Sequence, residues 1–235
     1  MAEAALLKVA GLQSWYGESH ILHGVDFEVG KGEVVTLLGR NGAGKTTTLK
    51  SIQGMVEKRT GSVVFEGHEL IGKSSDAIAR AGIALCPEER GIFASLNVRE
   101  NLMLPPQVRP GGLTMDEIFE LFPNLQERLS SQGTKLSGGE QQMLAIARIL
   151  RTGAPLLMLD EPTEGLAPVI IEQIGATIAG LKAKGFTILM VEQNFLFASK
   201  VADRYYVMED GRIIDAFTAQ TLEANMGKLH DYLGV

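Results

Sequence analysis

The stretch GRNGAGKTT, residues 39–47, constrains the fold of this chain more than any other segment. It matches the pattern G-x-x-x-x-G-K-[ST] and lies directly between the apolar run EVVTLL and the helical sequence TTTLKSIQGM. A glycine-rich loop that leads from a strand into a helix points several backbone N–H groups, and the positive end of the helix dipole, at one anion. A chance glycine-rich turn is the alternative, but the flanking strand and helix favour a phosphate-binding loop.

Each part of this loop has an expected role in binding a nucleotide. Gly39, Gly42 and Gly44 let the backbone approach the phosphates closely. Lys45 supplies a positive charge to the β- and γ-phosphates, and the hydroxyl of Thr46 is a Mg²⁺ ligand. We therefore predict that the whole loop contacts the nucleotide: Gly39, Arg40, Asn41, Gly42, Ala43, Gly44, Lys45, Thr46 and Thr47.

Four short apolar runs, mostly followed by helical patterns, predict the α/β fold class with a parallel sheet. The runs are EVVTLLG (33–39), GIALCP (82–87), PLLMLD (155–160) and TILMV (187–191). Near the start of the chain, LLKVAGL, GVDFEV and SVVFEG are separated by turns that contain glycine, which indicates an antiparallel β patch beside the main sheet.

Two later segments depart from this alternation. Strand patterns are absent between residues 90 and 135, where the breaker-rich PPQVRPGG precedes TMDEIFELF, whose apolar positions have helical spacing. We expect a small helical lobe there. RYYVMEDGRIIDAF places Asp210-Gly211 between two strand-like runs, which predicts a hairpin.

Composition excludes several classes of protein. The chain has 235 residues, 45% of them hydrophobic, which is enough for one large domain with a substantial core. A net charge of -6 disfavours nucleic acid as a partner. There is no run of about 20 apolar residues, and the N-terminus, with its acidic Glu3, does not resemble a signal sequence. A single cysteine, Cys86, lies in an apolar run and is expected to be a buried thiol in a cytoplasmic protein.

In PLLMLDEP, residues 155–162, two adjacent acids follow the apolar run. At the carboxyl edge of a sheet, Asp160 can hold Mg²⁺ through water, and Glu161 can orient or deprotonate an attacking water. An Asp-Glu-Pro sequence alone more often begins a helix. Neighbouring carboxylates repel, however, so a nearby cation is the better explanation in a chain with a phosphate loop.

A second candidate phosphate site lies in LSGGEQQMLAIARIL, residues 136–150. Ser137, Gly138 and Gly139 precede apolar positions with helical spacing, so they place exposed backbone N–H groups at the start of a helix. By itself such a turn is normally only a helix cap. One chain would then carry two phosphate-type sites.

GRNGAGKTT, LSGGEQQ and LLMLDEP, in this order and spacing, resemble the phosphate loop, signature motif and Walker B strand of an ATP-binding cassette (ABC) ATPase. The resemblance extends from Leu7 to about Gly211. It implies a P-loop NTPase (RecA-like) core at about 1–89 and 141–235, with a helical subdomain at about 90–140 that carries the signature motif at its end. YGESHIL, CPEERGIFASLNVRENL, EPTEGLAP and MVEQN are further similar to the ATPase subunits of branched-chain amino-acid uptake transporters and their urea or amide relatives.

The resemblance also implies roles for single residues. Tyr16 corresponds to the aromatic residue that stacks on adenine, although a packing role is the alternative. Glu88 stands where most members have a glutamine that contacts Mg²⁺ and signals to the transmembrane partner. The segment 164–168 matches a loop that contacts the opposite ATPase subunit, and the turn at 137–139 closes on the γ-phosphate held by that subunit.

Three polar residues follow the apolar run TILMV: Glu192, Gln193 and Asn194. The resemblance places Gln193 where most ABC ATPases have a histidine that contacts the γ-phosphate. A glutamine amide can donate a hydrogen bond but cannot transfer a proton at neutral pH, so Glu161 is left as the base. The alternative is that the cluster only begins the next helix, with Asn194 as its N-cap.

The sequence therefore predicts an ATPase that uses ATP and Mg²⁺ to drive import of branched-chain or related amino acids. Expected partners are a second ABC ATPase subunit, identical or related, two separate transmembrane permease subunits and, indirectly, an extracytoplasmic solute-binding protein. The predicted location is the cytoplasmic face of the inner membrane. A soluble ABC ATPase of nucleic-acid repair or translation and an exporter of lipid or glycan are the alternatives.

Overall fold

The computed structural model describes residues 5–234, in which ten strands and nine α-helices follow one another. The strands are β1 (Leu7–Tyr16), β2 (Ser19–Val29), β3 (Val34–Leu38), β4 (Lys58–Phe65), β5 (His68–Glu69), β6 (Ile83–Cys86), β7 (Leu156–Asp160), β8 (Thr187–Glu192), β9 (Arg204–Glu209) and β10 (Arg212–Thr218). The helices are α1 (Lys45–Ile52), α2 (Ser75–Ala81), α3 (Val98–Met103), α4 (Met115–Leu121), α5 (Pro123–Glu127), α6 (Gly138–Leu150), α7 (Pro168–Ala183), α8 (Phe195–Val201) and α9 (Met226–Leu233). The outermost residues of the predicted 1–235 domain, Glu3 among them, lie outside the described part.

The main sheet has six strands in the order β10-β9-β3-β8-β7-β6. Neighbours from β9 to β6 pair in parallel, and β10 pairs antiparallel with β9 as the predicted hairpin. Every residue of β3, β7 and β8 is buried, which is typical of parallel strands covered on both faces. The predicted parallel α/β sheet is confirmed.

Three central strands end side by side at one edge of this sheet. Leu38, the last residue of β3, pairs with Glu192 of β8, and Asp160, the last residue of β7, pairs with Val191. The segments that follow these strands therefore emerge next to each other. In open α/β sheets such an edge is where ligands bind.

The predicted antiparallel patch is a second sheet with the order β2-β1-β4-β5. Its strands are longer than the apolar runs indicated, because β1 continues to Tyr16 and β2 begins at Ser19. Apolar side chains from both sheets form one core cluster, including Leu12, Leu37 and Phe65. This packing places Tyr16, at the end of β1, beside the phosphate loop.

The helices α3, α4 and α5 occupy the segment that lacks strand patterns. Asn97 caps α3 and Thr114 caps α4, and in each case a glutamate three residues later completes a capping box. Gln132 and Asn97 form an isolated β-bridge, which brings the end of this segment back to its start. The division of the chain at residues 89 and 140 stays a prediction.

Much of the remaining apolar content lies in a second core cluster on the helical side of the main sheet. Cys86 is in this cluster and 1% exposed, as predicted, and burial raises the pKa of its thiol to about 12. The thiol is therefore inert at neutral pH. No helix among residues 5–234 is long and apolar enough to cross a membrane.

Candidate active site

The predicted phosphate loop connects β3 to α1 as the motif requires. Gly42 and Gly44 have φ angles of 85° and 103°, values that L side chains rarely adopt. At Gly39 a Cβ atom would collide with the carbonyl oxygen of Met208. The backbone N–H of Gly211 donates to the carbonyl of Ala43 (2.9 Å), so the turn between β9 and β10 supports the loop.

Lys45, the first residue of α1, is 4% exposed and has three oxygen partners. Its Nζ donates to the carbonyl oxygens of Gly39 (2.8 Å) and Arg40 (3.2 Å), and it forms an ion pair with Oε1 of Glu161 (2.9 Å). The predicted phosphate-binding cation is thus in contact with the predicted base.

Thr46 and Asp160 meet across 114 positions of sequence. The Thr46 hydroxyl donates to Oδ1 of Asp160 at 2.8 Å, while Oδ2 of Asp160 is buried and has no hydrogen-bond partner. Burial raises the pKa of the Asp160 carboxyl to about 6, although the bond from Thr46 opposes that shift. An unpartnered buried carboxylate oxygen beside a hydroxyl offers hard oxygen ligands to a cation.

Glu161 has a φ angle of 44°, in the left-handed region that disfavours non-glycine residues. Such a conformation costs about 1–3 kcal/mol and persists only where the surrounding structure imposes it. Here the backbone N–H of Glu161 donates to the carbonyl of Val191 (3.0 Å), and the carbonyl of Glu161 accepts from the N–H of Glu164 (3.1 Å). The side chain of the predicted base is thereby directed toward Lys45.

These residues surround an open cleft of about 390 Å³. It is lined by Tyr16, Ile21, Asn41, Gly42, Gly44, Lys45, Thr46, Thr47, Glu88, Glu161 and Glu164. Tyr16 is 49% exposed, so part of its side chain is accessible to a stacking base. The structure therefore brings together Tyr16, Glu88 and most of the predicted phosphate loop.

Glu164 is a cleft residue that the sequence assigned only to a loop facing another subunit. Burial, followed by the charges of Glu161 and Glu88, raises the pKa of its carboxyl. Three carboxylates thus share one cleft with a single lysine in its lining. The spacing between Glu161 and Glu164 in the sequence does not show that Glu164 lies in the cleft, because a turn between the two residues brings it there.

The turn at residues 137–139 does not line the cleft of its own chain. Ser137 caps α6: its Oγ accepts from the N–H of Glu140 (3.3 Å), and Oε2 of Glu140 accepts from the N–H of Ser137 (2.7 Å). The guanidinium of Arg90 lies against Gly138 and donates to Oε1 of Gln141 (3.2 Å), a contact that no sequence pattern indicated. The turn is thus a helix cap, and a role as a phosphate contact would require a nucleotide held by another chain.

The end of β8 differs in detail from the expected polar cluster. Gln193 is exposed and does not line the cleft, whereas Asn194 caps α8 by accepting from the N–H of Phe197 (3.1 Å). Glu192 is the last residue of the strand and only 2% exposed. A single acid at the end of an otherwise apolar strand was the available sign of this buried carboxylate.

Comparison with known proteins agrees with this fold. Residues 22–164, more than half of the chain, match the family model described as ABC transporter. The chain belongs to the ABC transporter family and, as an ATP-binding subunit of that family, is an ATPase. The family resemblance, the fold and the enzyme class predicted from sequence are confirmed.

Two curated relatives match over nearly their whole lengths. The high-affinity branched-chain amino acid transport ATP-binding protein BraG of Pseudomonas aeruginosa is 44% identical, with 97% of this chain and 100% of BraG covered. The probable branched-chain amino acid transport ATP-binding protein LivF of Archaeoglobus fulgidus is 37% identical, with 92% and 94% covered. A solved ATP binding subunit of an ABC transporter is 31% identical and superposes with a TM-score of 0.80, covering 98% of this chain and 100% of that one.

Proposed function

We propose that this chain is the ATP-hydrolysing subunit of an importer for branched-chain or related amino acids. The observation that carries the substrate class is the similarity to BraG, which covers 97% of this chain and 100% of BraG. The cleft supports the hydrolytic part of the proposal, because it combines a phosphate loop, a candidate base and a candidate metal site.

The ion pair between Lys45 and Glu161 supports a specific order of events. When ATP enters, Lys45 exchanges the Glu161 carboxylate for phosphate oxygens, which carry more negative charge. Glu161 then becomes free to accept a proton from the attacking water. Glu161 is therefore paired with Lys45 until the nucleotide arrives, and it can act as a base only after ATP has bound.

Thr46 and Asp160 fit a Mg²⁺ ion, because they present a hydroxyl and a buried carboxylate with one oxygen unpartnered. Held by these two residues, a Mg²⁺ ion would neutralise negative charge on the phosphates. Glu88 lines the same cleft and is proposed as a further metal ligand, directly or through water. The other role considered for Glu88 is an ion pair with a transmembrane partner.

The proposed assembly contains two ATPase subunits, the second being identical or related to this chain. The turn at residues 137–139 would close on the γ-phosphate held by the second subunit, since it does not line its own cleft. Two permease subunits would supply the membrane path, and exposed Phe93, Met103 and Leu104 offer apolar surface for that contact. The chain would then lie on the cytoplasmic face of the inner membrane, with a solute-binding protein on the other side.

The test is to isolate the full chain, with an affinity tag, from detergent-solubilised membranes of its own organism and to identify what accompanies it. We expect a permease pair and a solute-binding protein that binds a branched-chain amino acid. Ribosomal or DNA-associated companions would overturn import, and a lipid or glycan export apparatus would overturn the direction of transport. The tag alone, expressed in the same cells, is the control.

A further inference from the structure

Glu192 is a buried acid whose carboxylate contacts two different segments of the active-site edge. Oε1 accepts from both the N–H (3.2 Å) and the hydroxyl (2.8 Å) of Thr163, and Oε2 accepts from the N–H of Asn194 (3.1 Å). The side chain is 2% exposed and projects from a strand that is otherwise apolar apart from Thr187. Burying a carboxylate costs free energy unless such bonds compensate it.

Each of the two contacted segments carries a residue of the proposed hydrolytic machinery. Thr163 lies two positions after Glu161, the base with the strained backbone. Asn194 directly follows Gln193, the proposed γ-phosphate contact. The carboxylate of Glu192 therefore connects the loop after β7 to the turn after β8.

We propose that Glu192 is a positioning residue, which holds Glu161 and Gln193 in a fixed relation through Thr163 and Asn194. This inference rests on the proposed function, because it assumes the role given there to Glu161, together with the γ-phosphate contact that the family resemblance implies for Gln193. Misplacing a reacting group by about 1 Å can cost on the order of 100-fold in rate. A clamp that touches neither ATP nor water directly can thus affect the chemical step.

The chemistry of the three donors explains why a glutamate suits this position. Above the raised pKa of about 7, the Glu192 carboxylate is ionised and only accepts hydrogen bonds, and all three of its partners here are donors. A glutamine would offer one accepting oxygen and an NH₂ group that also donates. In Glu192→Gln the amide oxygen can serve Thr163, but the NH₂ group would then face the N–H of Asn194, so one side of the clamp is lost.

The test uses the full chain and separates turnover from binding. We expect Glu192→Gln and Thr163→Val each to lower kcat at least about tenfold, because both break the clamp. KM and the Kd for ATP should change less than about threefold. Lys45 and Thr46 keep their contacts, so the substrate is still bound normally before the chemical step. Thr163→Ser keeps the hydroxyl and should retain most of the activity.

A double mutant and a matched control sharpen the result. The double variant should lose less than the product of the two single losses, because both changes act on one contact. Glu69→Gln is the control. In the wild type, Oε1 of Glu69 accepts from the N–H groups of Val63, Leu70 and Ile71, away from the cleft, so the kcat of this variant should be unchanged. Thermal unfolding checks that each variant is folded, and Thr163→Val carries the test if Glu192→Gln is not.

Three results would overturn the inference in distinguishable ways. Normal hydrolysis by the wild-type chain, with Glu192→Gln and Thr163→Val as active as Glu69→Gln, would overturn the clamp and leave the proposed function intact. Absence of ATP hydrolysis in the assembled wild-type transporter would overturn the proposed function and the clamp together. Equal losses of ATP binding and kcat would show a general structural role and also contradict the proposal.

Discussion

The ion pair between Lys45 and Glu161 joins, at the scale of single residues, the group proposed to bind phosphate and the group proposed to activate water. Both side chains are nearly buried, so each requires a partner of opposite charge when no nucleotide is present. ATP supplies Lys45 with a different partner. Replacing Glu161 should therefore mainly lower turnover, whereas replacing Lys45 should mainly weaken ATP binding.

Glu161→Gln should lower kcat by about 10²–10⁴-fold, the usual contribution of a general base. Its affinity for ATP should equal or exceed that of the wild type, because a neutral amide holds Lys45 less strongly. Lys45→Ala should instead weaken ATP binding, since it removes a charge from the phosphate site. Titration with ATP and steady-state hydrolysis measure both effects; near-native turnover by Glu161→Gln would refute the assignment of the base.

Gln193 should act as a hydrogen-bond donor to the γ-phosphate. Gln193→Ala is expected to lower hydrolysis severalfold, and Gln193→His should retain activity because imidazole also donates. Steady-state ATPase rates of the two variants decide between the roles. An Ala variant as active as the wild type would leave Gln193 as a surface residue at a helix start, in keeping with its exposure.

Glu88 should increase the affinity for Mg²⁺ if its carboxylate reaches the ion. Glu88→Gln is then expected to raise the Mg²⁺ concentration at half-maximal ATPase activity, because a hard cation favours carboxylate oxygen. Titration of activity with MgCl₂ at saturating ATP measures this shift. An unchanged Mg²⁺ dependence with altered solute stimulation would indicate the permease contact instead, and no change in either would leave Glu88 as a solvated acid.

The pKa of Glu192 links this residue to the pH dependence of stability. Burial raises the pKa of its carboxyl to about 7, despite the bonds from Thr163 and Asn194, against an ordinary value of 4.5. Between these two values the folded chain binds more protons at this site than the unfolded chain, so the free energy of unfolding falls as the pH rises through that window. Urea unfolding of the nucleotide-free chain across this range should show a flatter pH profile for Glu192→Gln; an identical profile would contradict the shift.

At the scale of elements, one buried amide connects α3 to the irregular segment that precedes it. Asn101 is 0% exposed; its Oδ1 accepts from the N–H of Phe93, and its Nδ2 donates to the carbonyls of Phe93, Leu96 and Asn97. These bonds hold the irregular segment before α3, which contains the exposed Phe93, against the helix. This segment has no regular secondary structure of its own, so the bonds from the Asn101 side chain help to fix its conformation.

Asn101→Ala should lower the free energy of unfolding by about 1–3 kcal/mol, because the N–H of Phe93 loses its acceptor and the carbonyls of Phe93, Leu96 and Asn97 each lose one of two donors. The adjacent Arg99→Ala is a suitable control, since Arg99 is exposed and its loss should cost less than about 0.5 kcal/mol. Denaturant titration measures both variants. Equal stability of Asn101→Ala and Arg99→Ala would show that the segment is held by other contacts.

At the scale of the whole molecule, the separation of residues 137–139 from the cleft supports the proposed second subunit. The cleft contains the phosphate loop but none of residues 137–139, so part of the predicted nucleotide site is incomplete within one chain. Three carboxylates also line this cleft with one lysine. ATP with Mg²⁺ is expected to complete the site and to draw two subunits together.

Glu161→Gln should therefore form a dimer of about twice the 25.3 kDa monomer mass when ATP and Mg²⁺ are added, because hydrolysis no longer separates the subunits. Light scattering after size-exclusion chromatography measures the mass. Adding Lys45→Ala to the same chain should prevent the shift by weakening ATP binding. A monomer at saturating ATP would argue against the homodimer and leave a related partner subunit as the remaining arrangement.

The sequence alone determined the parallel α/β class, the glycine-rich loop between β3 and α1, and the family, because these patterns depend on neighbours in the chain. The apolar runs that became β3, β7 and β8, and the strand-loop-helix context of Lys45, are local patterns. The packing of distant segments decided the rest, since no local pattern specifies that β8 lies between β3 and β7. That strand order places Thr46 against Asp160, Lys45 against Glu161 and Glu192 against Thr163, and so determines which groups meet in the active site.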